Sequence, residues 1–413
     1  MNSGMSNLQN TQVDAIAQQC LNLFRILPKT GKPIEDEWTV ISCIVLYDTE
    51  SNNFHVVSLG TGSKCIGANK MSPSGDILND SHAEVFARRG FLVYLYDNID
   101  SAIENKSSIF IHEDGLFRLK RNITFIFYSS QLPCGDGSIL PKDADEAYIG
   151  DILCKKRDAE DSICDTAIKK QRLEFDIHRT GAKCLPDSDQ DPKEAGQNYH
   201  IVGQVRTKPG RGDRTLSVSC SDKIAKWIHL GIQGRLLNLC LVEPIYISSF
   251  IFGGGVPYSE LSLRRAFLCR NLDNVIITKN IPKIYQSSVI FPHIKTENHS
   301  RPASGSIVWI KGEKQSSEVA VNGQKLGVTK KSAKIITRSL CISKCNLYRR
   351  FQYHLEKNEI LKEKLFNNNL VDIPYNQMKA KATTYEKNWV IVKNNFFKTW
   401  TVKPDIWNFC VST

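Results

Sequence analysis

The chain has 413 residues, with 54 Lys or Arg against 43 Asp or Glu, so its formal net charge is +11. Apolar residues make up 41%, a globular balance that excludes a collagenous or wholly disordered chain. No apolar run reaches the ~18 residues of a membrane span, and the N-terminus does not have the pattern of a signal peptide. The thirteen cysteines are odd in number and irregularly spaced, which favours free thiols. We expect an intracellular protein of the cytoplasm, the nucleus or both, with no membrane partner.

Charge is unevenly distributed along the chain. Residues 141–200 hold 10 basic and 14 acidic side chains, a net of −4 that leaves +15 on the rest. This stretch has weak apolar periodicity, and we interpret it as a charged, flexible insertion with at most one short helix at 164–173. A solvated surface loop is favoured there over a binding element.

Apolar periodicity predicts the helices and strands. In chain order it predicts a helix at 13–27, strands at 38–46 and 54–59, a helix at 81–96 and a strand at 123–128. After the insertion it predicts a helix at 221–239, strands at 241–252, 306–310 and 318–321, a turn at Asn322-Gly323, and helices at 345–356 and 375–397. Strands that alternate with helices predict an α/β sheet layered by helices.

The tripeptide His82-Ala83-Glu84 is the first candidate for chemistry. It follows Asn79-Asp80-Ser81, all good capping residues, so His82 and Glu84 are predicted to lie in the first turn of a helix. Such a tripeptide alone is more often a surface or core histidine than a metal ligand.

Two cysteines complete the candidate set. Cys134 follows Pro133 at the end of a predicted strand, and Cys220 directly precedes a predicted helix; either alone is as well explained as an inert buried thiol. One His, two Cys and a nearby Glu together are typical of a catalytic zinc site with an open fourth position. Zinc deaminases supply this set with an HxE and a PCxxC pair, but here no cysteine follows Cys134 at the third position. The second cysteine ligand would therefore be Cys220, across the insertion.

Three separated motifs resemble those of the adenosine deaminases acting on RNA. They are residues 78–84 (LNDSHAE), 133–136 (PCGD) and 219–227 (SCSDKIAKW), followed by 231–234 (GIQG) and 242–246 (VEPIY). The resemblance runs from about Lys29 to the C-terminus. It implies an α/β fold with a cytidine-deaminase-like mixed sheet layered by helices and a C-terminal, mostly helical region in one domain. It places a helical leader at 1–35 and the editase domain at 36–413.

The same resemblance implies the roles of the site residues. His82, Cys134 and Cys220 would bind Zn²⁺, and Glu84 would shuttle protons for the hydrolysis of adenosine to inosine. Ser63 and Lys64, after Gly60-Thr61-Gly62, would lie beside the nucleotide, although a plain tight turn explains those glycines equally well. Asp213 lies in the loop where duplex-editing relatives place a base-flipping Glu, with a solvated basic turn as the competing interpretation.

A buried polyanion is the second implied cofactor. Arg88 and Arg89 lie mid-helix among apolar residues, and a buried guanidinium needs a partner. The resemblance supplies inositol hexakisphosphate, linked to the metal site through Asp80 and Lys208. Its implied contacts are Asn79, Arg88, Arg89, Lys223, Lys226, Lys344, Tyr375, Lys379, Tyr385, Trp400 and Lys403. Trp389 stands where relatives have Lys, and Arg235 where they have Ser; without the family, the C-terminal lysines would be interpreted as solvated helix faces.

The leader favours the tRNA-specific branch of the family. About 35 residues precede the deaminase region, too few for the dsRNA-binding domains, spanning ~16 bp each, that duplex-editing members carry. Residues 27–33 (LPKTGKP) and 37–39 (EWT) resemble the branch that deaminates the adenosine immediately 3′ of the anticodon in alanine tRNA. We therefore expect tRNA as partner, bound through the +15 surface, with no DNA and no obligate protein partner. The alternatives are an inactive deaminase-fold RNA-binding protein, which the retention of Glu84 and the ligands disfavours, and a deaminase of other structured RNA or of free nucleosides.

Overall fold

The computed structural model describes residues 7–142, 176–210, 213–270, 278, 280–312, 316–328, 339–366 and 373–411. The helices in these ranges are α1 (Asn10–Ile26), α2 (Ala83–Ile103), α3 (Cys220–Leu230), α4 (Gly234–Asn238), α5 (Glu260–Leu268), α6 (Lys344–Lys357), α7 (Glu359–Phe366), α8 (Tyr375–Ala380) and α9 (Thr383–Val392). A π-helical turn, Lys393–Phe397, continues α9, and 3₁₀ turns lie at Ala68–Lys70, Asp136–Ser138 and Gly196–Tyr199.

The strands in these ranges are β1 (Glu37–Trp38), β2 (Ile41–Asp48), β3 (Asn53–Thr61), β4 (Ser63–Cys65), β5 (Asp80–His82), β6 (Phe110–Glu113), β7 (Leu116–Leu119), β8 (Ile123–Ser129), β9 (Leu140–Pro141), β10 (Ile177–His178), β11 (Lys183–Cys184), β12 (Arg206–Thr207), β13 (Ile247–Gly254), β14 (Lys283–Ile290), β15 (Arg301–Pro302), β16 (Ser306–Ile310), β17 (Ser316–Val321) and β18 (Gln324–Lys325). Eight of them form a central sheet in the order β14-β13-β8-β2-β3-β16-β17-β18. β14, β13 and β8 run parallel, and the other neighbouring pairs are antiparallel. The predicted α/β fold with a mixed sheet is confirmed.

Both faces of the sheet are buried at the strands β13, β8, β2 and β16, which accounts for their nearly continuous apolar sequences. Successive side chains point to opposite faces. Ile44 and Phe127 therefore pack in the cluster that contains Phe86 of α2, whereas Cys43 and Tyr128 belong to the cluster of α1. α2, which carries Glu84, thus lies directly on the sheet and is held there by a large apolar core.

A smaller core joins the C-terminal helices to α3. Ala225 and Leu230 of α3 pack with Tyr385 and Trp389 of α9 and with Phe396 of the π-helical turn. This packing brings the C-terminal lysines beside α2 and α3, the two helices that begin at the candidate site. The predicted C-terminal, mostly helical region is confirmed.

Several predicted boundaries were wrong for local reasons. The helix predicted at 221–239 breaks between α3 and α4 because Gly231 adopts a positive φ of 85°. The strand predicted at 241–252 begins only at Ile247, since Leu241 forms an isolated bridge with Phe117 and residues 242–246 are bends and irregular chain. The helix predicted at 375–397 is divided into α8, α9 and the π-helical turn. The short helix predicted at 164–173 lies outside the described residues.

The second half of the predicted insertion is structured. β10 pairs with β9, and β11 pairs with β12. Ile177, Cys184 and Leu185 are buried, and the Thr180 hydroxyl of this segment accepts a hydrogen bond from the amide of Gly135, next to Cys134. Flexibility of residues 143–175 stays a prediction, since they lie outside the described residues. Among the described helices, none is long and apolar enough to span a bilayer.

Candidate active site

His82 and Glu84 lie at the junction between β5 and α2. Glu84 is in the first helical turn, as predicted, but His82 is the residue before the helix and has extended backbone angles (φ −72°, ψ 147°). The reason is local: the Asp80 carboxylate accepts a hydrogen bond from the His82 amide at 3.0 Å. Glu84 is 3% exposed, and no described residue forms a hydrogen bond to its Oε2. A buried carboxylate oxygen without a partner is free to exchange a proton with a substrate.

Cys134 and Cys220 meet beside this junction although 86 residues separate them in sequence. Cys220 is the first residue of α3, and its amide donates to Cys134 Sγ at 3.3 Å. A hydrogen bond from Cys220 and, to a smaller extent, one from His82 lower the pKa of Cys134 well below its ordinary value. Burial raises the pKa of Cys220, so of the two thiols Cys134 is the one that loses its proton readily. The structure thus brings His82, Cys134 and Cys220 together, with Glu84 close enough to Cys220 for its charge to act there.

Gly135 makes this approach of the two cysteine loops possible. Its φ of 103° and ψ of −144° fall in a region that only glycine adopts readily. A Cβ at this position would lie 2.2 Å from Ser219 Oγ, in the residue before Cys220. The Cys134 loop can therefore pack against the start of α3 only with glycine here.

Lys208 and Asp80 connect the sulfurs to the interior. The ammonium of Lys208 is fully buried and donates to Cys220 Sγ at 3.0 Å and to Asp80 Oδ1 at 3.1 Å. Asp80 also contacts His82 Nδ1 at 2.9 Å and forms an ion pair with Lys223. Burial alone raises the pKa of Asp80, but Lys208 and Lys223 outweigh it and hold that pKa well below its ordinary value. Asp80 is thus a fixed carboxylate that orients the His82 ring.

Two groupings of possible metal ligands share His82. Cys65, Asp80 and His82 Nδ1 have ligand atoms within 4.8 Å of one another, with Cys65 Sγ 3.8 Å from the ring nitrogen. Asp80 already binds two ammonium groups, and its contact with Nδ1 leaves the other ring nitrogen, Nε2, for metal binding. A nitrogen and two sulfurs from His82, Cys134 and Cys220 form a donor set that Zn²⁺ favours. Sequence reasoning missed Cys65, which reaches His82 through the pairing of β4 with β5 rather than through any motif.

A cavity of about 760 Å³ adjoins this site. It is lined by all the residues for which a polyanion contact was predicted, namely Asn79, Arg88, Arg89, Lys223, Lys226, Lys344, Tyr375, Lys379, Tyr385, Trp400 and Lys403. Asp80 also lines it, so the cavity and the candidate metal site share this carboxylate. In total, eight Lys or Arg side chains line the cavity, against two Asp.

The cavity concentrates positive charge that its own carboxylates do not balance. Burial, reinforced by neighbouring cations, lowers the pKa of Lys226 and of Lys344 well below the ordinary value. Burial lowers the pKa of Arg89 to about 10, and Arg89 Nη2 has no hydrogen-bond partner among the described residues. Such uncompensated buried charge is costly unless an anion binds. The chemistry of the lining therefore fits a polyanion.

Trp389 and Arg235, the two predicted departures from the family pattern, both line this cavity. The Lys226 ammonium lies over the Trp389 ring, 3.3 Å from the centroid. Arg235 forms an ion pair with Glu386 and lies over the Tyr385 ring at 5.8 Å. Trp389 thus contributes a cation–π contact rather than a charge.

The three predicted substrate contacts lie at different places around the site. Ser63 pairs with His82 across β4 and β5, and Lys64 is the next residue of the same strand. Asp213 instead accepts a hydrogen bond from the Asn69 amide at 2.8 Å, joining its loop to the 3₁₀ turn. The structure brings Ser63 and Lys64 beside the candidate ligands but gives the Asp213 carboxylate a protein partner.

Comparison with known proteins identifies the family. The model of the adenosine-deaminase (editase) domain matches residues 58–404. The chain is 36% identical to tRNA-specific adenosine deaminase 1 of Drosophila melanogaster, over 97% of each chain, and 32% identical to that of Homo sapiens, over 95% of this chain and 98% of the relative. The double-stranded RNA-specific editase Adar of Drosophila melanogaster is 31% identical over 61% of this chain and 34% of its own. The chain is therefore a member of the adenosine-deaminase (editase) family.

Proposed function

We propose that this protein hydrolytically deaminates adenosine to inosine in tRNA, at the adenosine immediately 3′ of the anticodon of alanine tRNA. The observation that carries the chemistry is the convergence of His82, Cys134 and Cys220 beside the buried, unpaired Oε2 of Glu84. The choice of tRNA is supported by the relatives named tRNA-specific, which match along almost the whole chain. The relative named for double-stranded RNA matches a smaller part of it.

The proposal assigns the metal to His82, Cys134 and Cys220. The lowered pKa of Cys134 and the ammonium of Lys208 beside Cys220 Sγ both favour thiolate, the form of cysteine that binds metal. Asp80 holds the His82 ring by its Nδ1, an arrangement that leaves Nε2 for a ligand bond. When bound, zinc supplies a water nucleophile at neutral pH.

Glu84 moves the protons. Hydrolysis at C6 of adenine requires a proton to leave the water and a proton to reach the departing amino group. Glu84 Oε2 is buried with no hydrogen-bond partner among the described residues, so it can take the first proton and deliver the second. Ser63 and Lys64, in the strand beside His82, are assigned to the nucleotide on this proposal. Asp213 is also assigned to RNA binding on this proposal, and its hydrogen bond from the Asn69 amide fixes the position of its loop.

The cavity is assigned to inositol hexakisphosphate. Eight cationic side chains line the cavity, and burial lowers the pKa of five of them, Arg88, Arg89, Lys226, Lys344 and Lys403. These cations would neutralise the phosphates of the ligand, and the ligand would in turn compensate their buried charge. A polyanion in the cavity would act on Lys223, which is paired with Asp80. Asp80 also binds Lys208, and Lys208 donates to Cys220 Sγ, so the polyanion would affect the charge around Cys220.

The test is to incubate the purified protein with total tRNA and to map the positions of inosine. We expect inosine next to the anticodon of alanine tRNA, and we expect Glu84→Gln to lower its formation by about 10²- to 10⁴-fold, the usual contribution of a general acid–base group. The zinc content of Glu84→Gln should equal that of the wild type, because Glu84 is not assigned as a ligand. An active Glu84→Gln would refute the role of Glu84, and inosine elsewhere or nowhere would refute the substrate.

A further inference from the structure

A buried polar network occupies the segment that the sequence presents as the end of an insertion. The side chain of Arg206, in β12, is fully buried and donates to both carboxylate oxygens of Asp191 at 2.6 Å. His200 lies against the same carboxylate, with Nδ1 2.9 Å from Asp191 Oδ2. His200 Nε2 accepts a hydrogen bond from the Thr180 amide at 3.3 Å, so Nδ1 carries the proton and donates to Asp191.

The network ends on the loop that carries Cys134. Thr180 Oγ1 accepts a hydrogen bond from the amide of Gly135, the next residue, at 3.1 Å, and another from the Ala182 amide at 3.3 Å. A second link joins the same loop to this segment, because the Gly203 amide donates to Asp136 Oδ1 at 2.6 Å. The Cys134 loop therefore forms one hydrogen bond with Thr180, inside the predicted insertion, and one with Gly203, just after it.

The other end of the network lies on the loop that carries Cys220. The amide of Arg206 donates to Asp222 Oδ2 at 3.0 Å, and its carbonyl accepts from the Ser219 amide at 2.7 Å. Ser219, the residue before Cys220, is the N-cap of α3, and its side chain accepts a hydrogen bond from the Asp222 amide in the first turn. One buried arginine thus holds the start of α3 by its backbone and reaches, through its side chain, toward the loop of Cys134.

We propose that Thr180, Asp191, His200 and Arg206 are positioning residues that hold the Cys134 and Cys220 loops at the separation that metal binding needs. The inference rests on the proposed zinc site and names residues that support it without touching the metal. Burying an arginine, a carboxylate and a histidine costs free energy that apolar residues would not cost, so a requirement for geometry explains their presence better than stability does. Partners beyond the direct ligands typically change metal affinity or activity by about 10- to 100-fold.

Thr180→Val is the sharpest test. Valine keeps the shape of threonine but removes Oγ1, so the Gly135 amide loses its acceptor. We expect zinc to pass to a colorimetric chelator about tenfold faster or more, and kcat to fall by about the same factor with KM for tRNA little changed. Thr180→Ser keeps the hydroxyl and should restore both values. Asp191→Asn should act in the same direction as Thr180→Val.

Two controls separate positioning from general loss of stability. Asp189→Asn removes an exposed carboxylate of the same segment, and Ile16→Val perturbs the core on the far face of the sheet. Neither should change the rate of zinc loss or kcat. If Thr180→Val loses zinc at the wild-type rate, or if Ile16→Val loses it as fast as Thr180→Val, the positioning role is refuted.

A metal-free measurement keeps this inference distinct from the proposed function. Hydrogen exchange of the Gly135 amide, followed in chelator-treated protein, should be about tenfold faster or more in Thr180→Val than in the wild type, since its hydrogen bond is lost. Unchanged exchange would refute the positioning role whether or not the wild type binds zinc. A wild type that holds no zinc and forms no inosine, with faster exchange in the variant, would refute only the proposed function.

Discussion

Raising the pH should weaken the binding of a polyanion in the cavity. Lys403 lines the cavity but is an exposed residue, and the protein around it lowers its pKa to about 8. Burial is the main cause, Lys223 and Lys379 add to it, and Asp80 and Cys65 oppose it. An anion paired with Lys403 would raise that pKa back toward about 10.4. The complex then holds more protons than the free cavity above about pH 8, so by linkage its affinity falls as the pH rises.

The size of the effect follows from the two pKa values. A lysine that titrates at about 8 when free and at about 10.4 when paired loses about tenfold in affinity between about pH 7 and about pH 9. Screening by solvent reduces this figure for Lys403, so tenfold is its upper limit. Lys226 and Lys344, whose pKa values burial lowers further, contribute in the same direction. We therefore expect a steep loss of affinity over two pH units.

The assay uses inositol hexasulfate, because sulfate esters do not titrate in this range and phosphates do. Protein refolded without a polyanion is titrated with inositol hexasulfate by calorimetry at about pH 7 and about pH 9. Lys403→Met should bind more weakly and show a smaller pH dependence, whereas Lys387→Met, on the exposed face of α9 and outside the cavity lining, should behave like the wild type. Affinity that is independent of pH, or a pH dependence that Lys403→Met leaves unchanged, would refute the assigned role of the cavity lysines.

Two further predictions concern the chain around the site. Gly135→Ala should lower the free energy of unfolding by about 2 kcal/mol or more and release zinc. The reasons are the backbone angles of Gly135 and the 2.2 Å that would separate the new Cβ from Ser219 Oγ. A variant that unfolds at the same urea concentration as the wild type would contradict this prediction. Replacing residues 143–175 with a short Gly/Ser linker should shift the thermal midpoint by no more than about 4 °C, since the Lys142 amide already donates to the Asp176 carbonyl at 2.9 Å. A linker variant that fails to fold, as judged by its thermal transition, would contradict this expectation.

The chemistry of the site was predictable where residue type alone decides it. An imidazole, two thiols and a nearby carboxylate are together typical of a catalytic zinc site, and the family resemblance supplied the role of each residue. The zinc itself stays a prediction. Their convergence was not predictable from spacing, because Cys134 and Cys220 meet through β8, β13 and the start of α3, which the periodicity placed only approximately. The contacts of the cavity came from family resemblance, since lysines on amphipathic helices look alike whether they face solvent or an internal cavity.

The segment 176–206 shows what composition conceals. Its acidic residues predict a solvated loop, because charge and low hydrophobicity normally accompany exposure. Asp191 is instead neutralised by Arg206, fifteen residues later, and shares its carboxylate with His200. Ion pairs of this kind leave no periodic signal, and neither partner has a motif around it. From the sequence alone such residues are predicted to lie at the surface, because only the structure shows that they pair with one another.

The position of Asp80 joins the candidate metal site and the cavity into one electrostatic unit. Its carboxylate binds Lys223, which lines the cavity, and Lys208, which donates to Cys220 Sγ. If the cavity were empty, its unbalanced cations would compete for the Asp80 carboxylate and weaken its contacts with Lys208 and with the His82 ring. A bound polyanion would balance the charge of these cations, and Asp80 would keep its contacts with Lys208 and His82. Loss of the polyanion should therefore lower zinc affinity even though no polyanion contact is also a metal ligand.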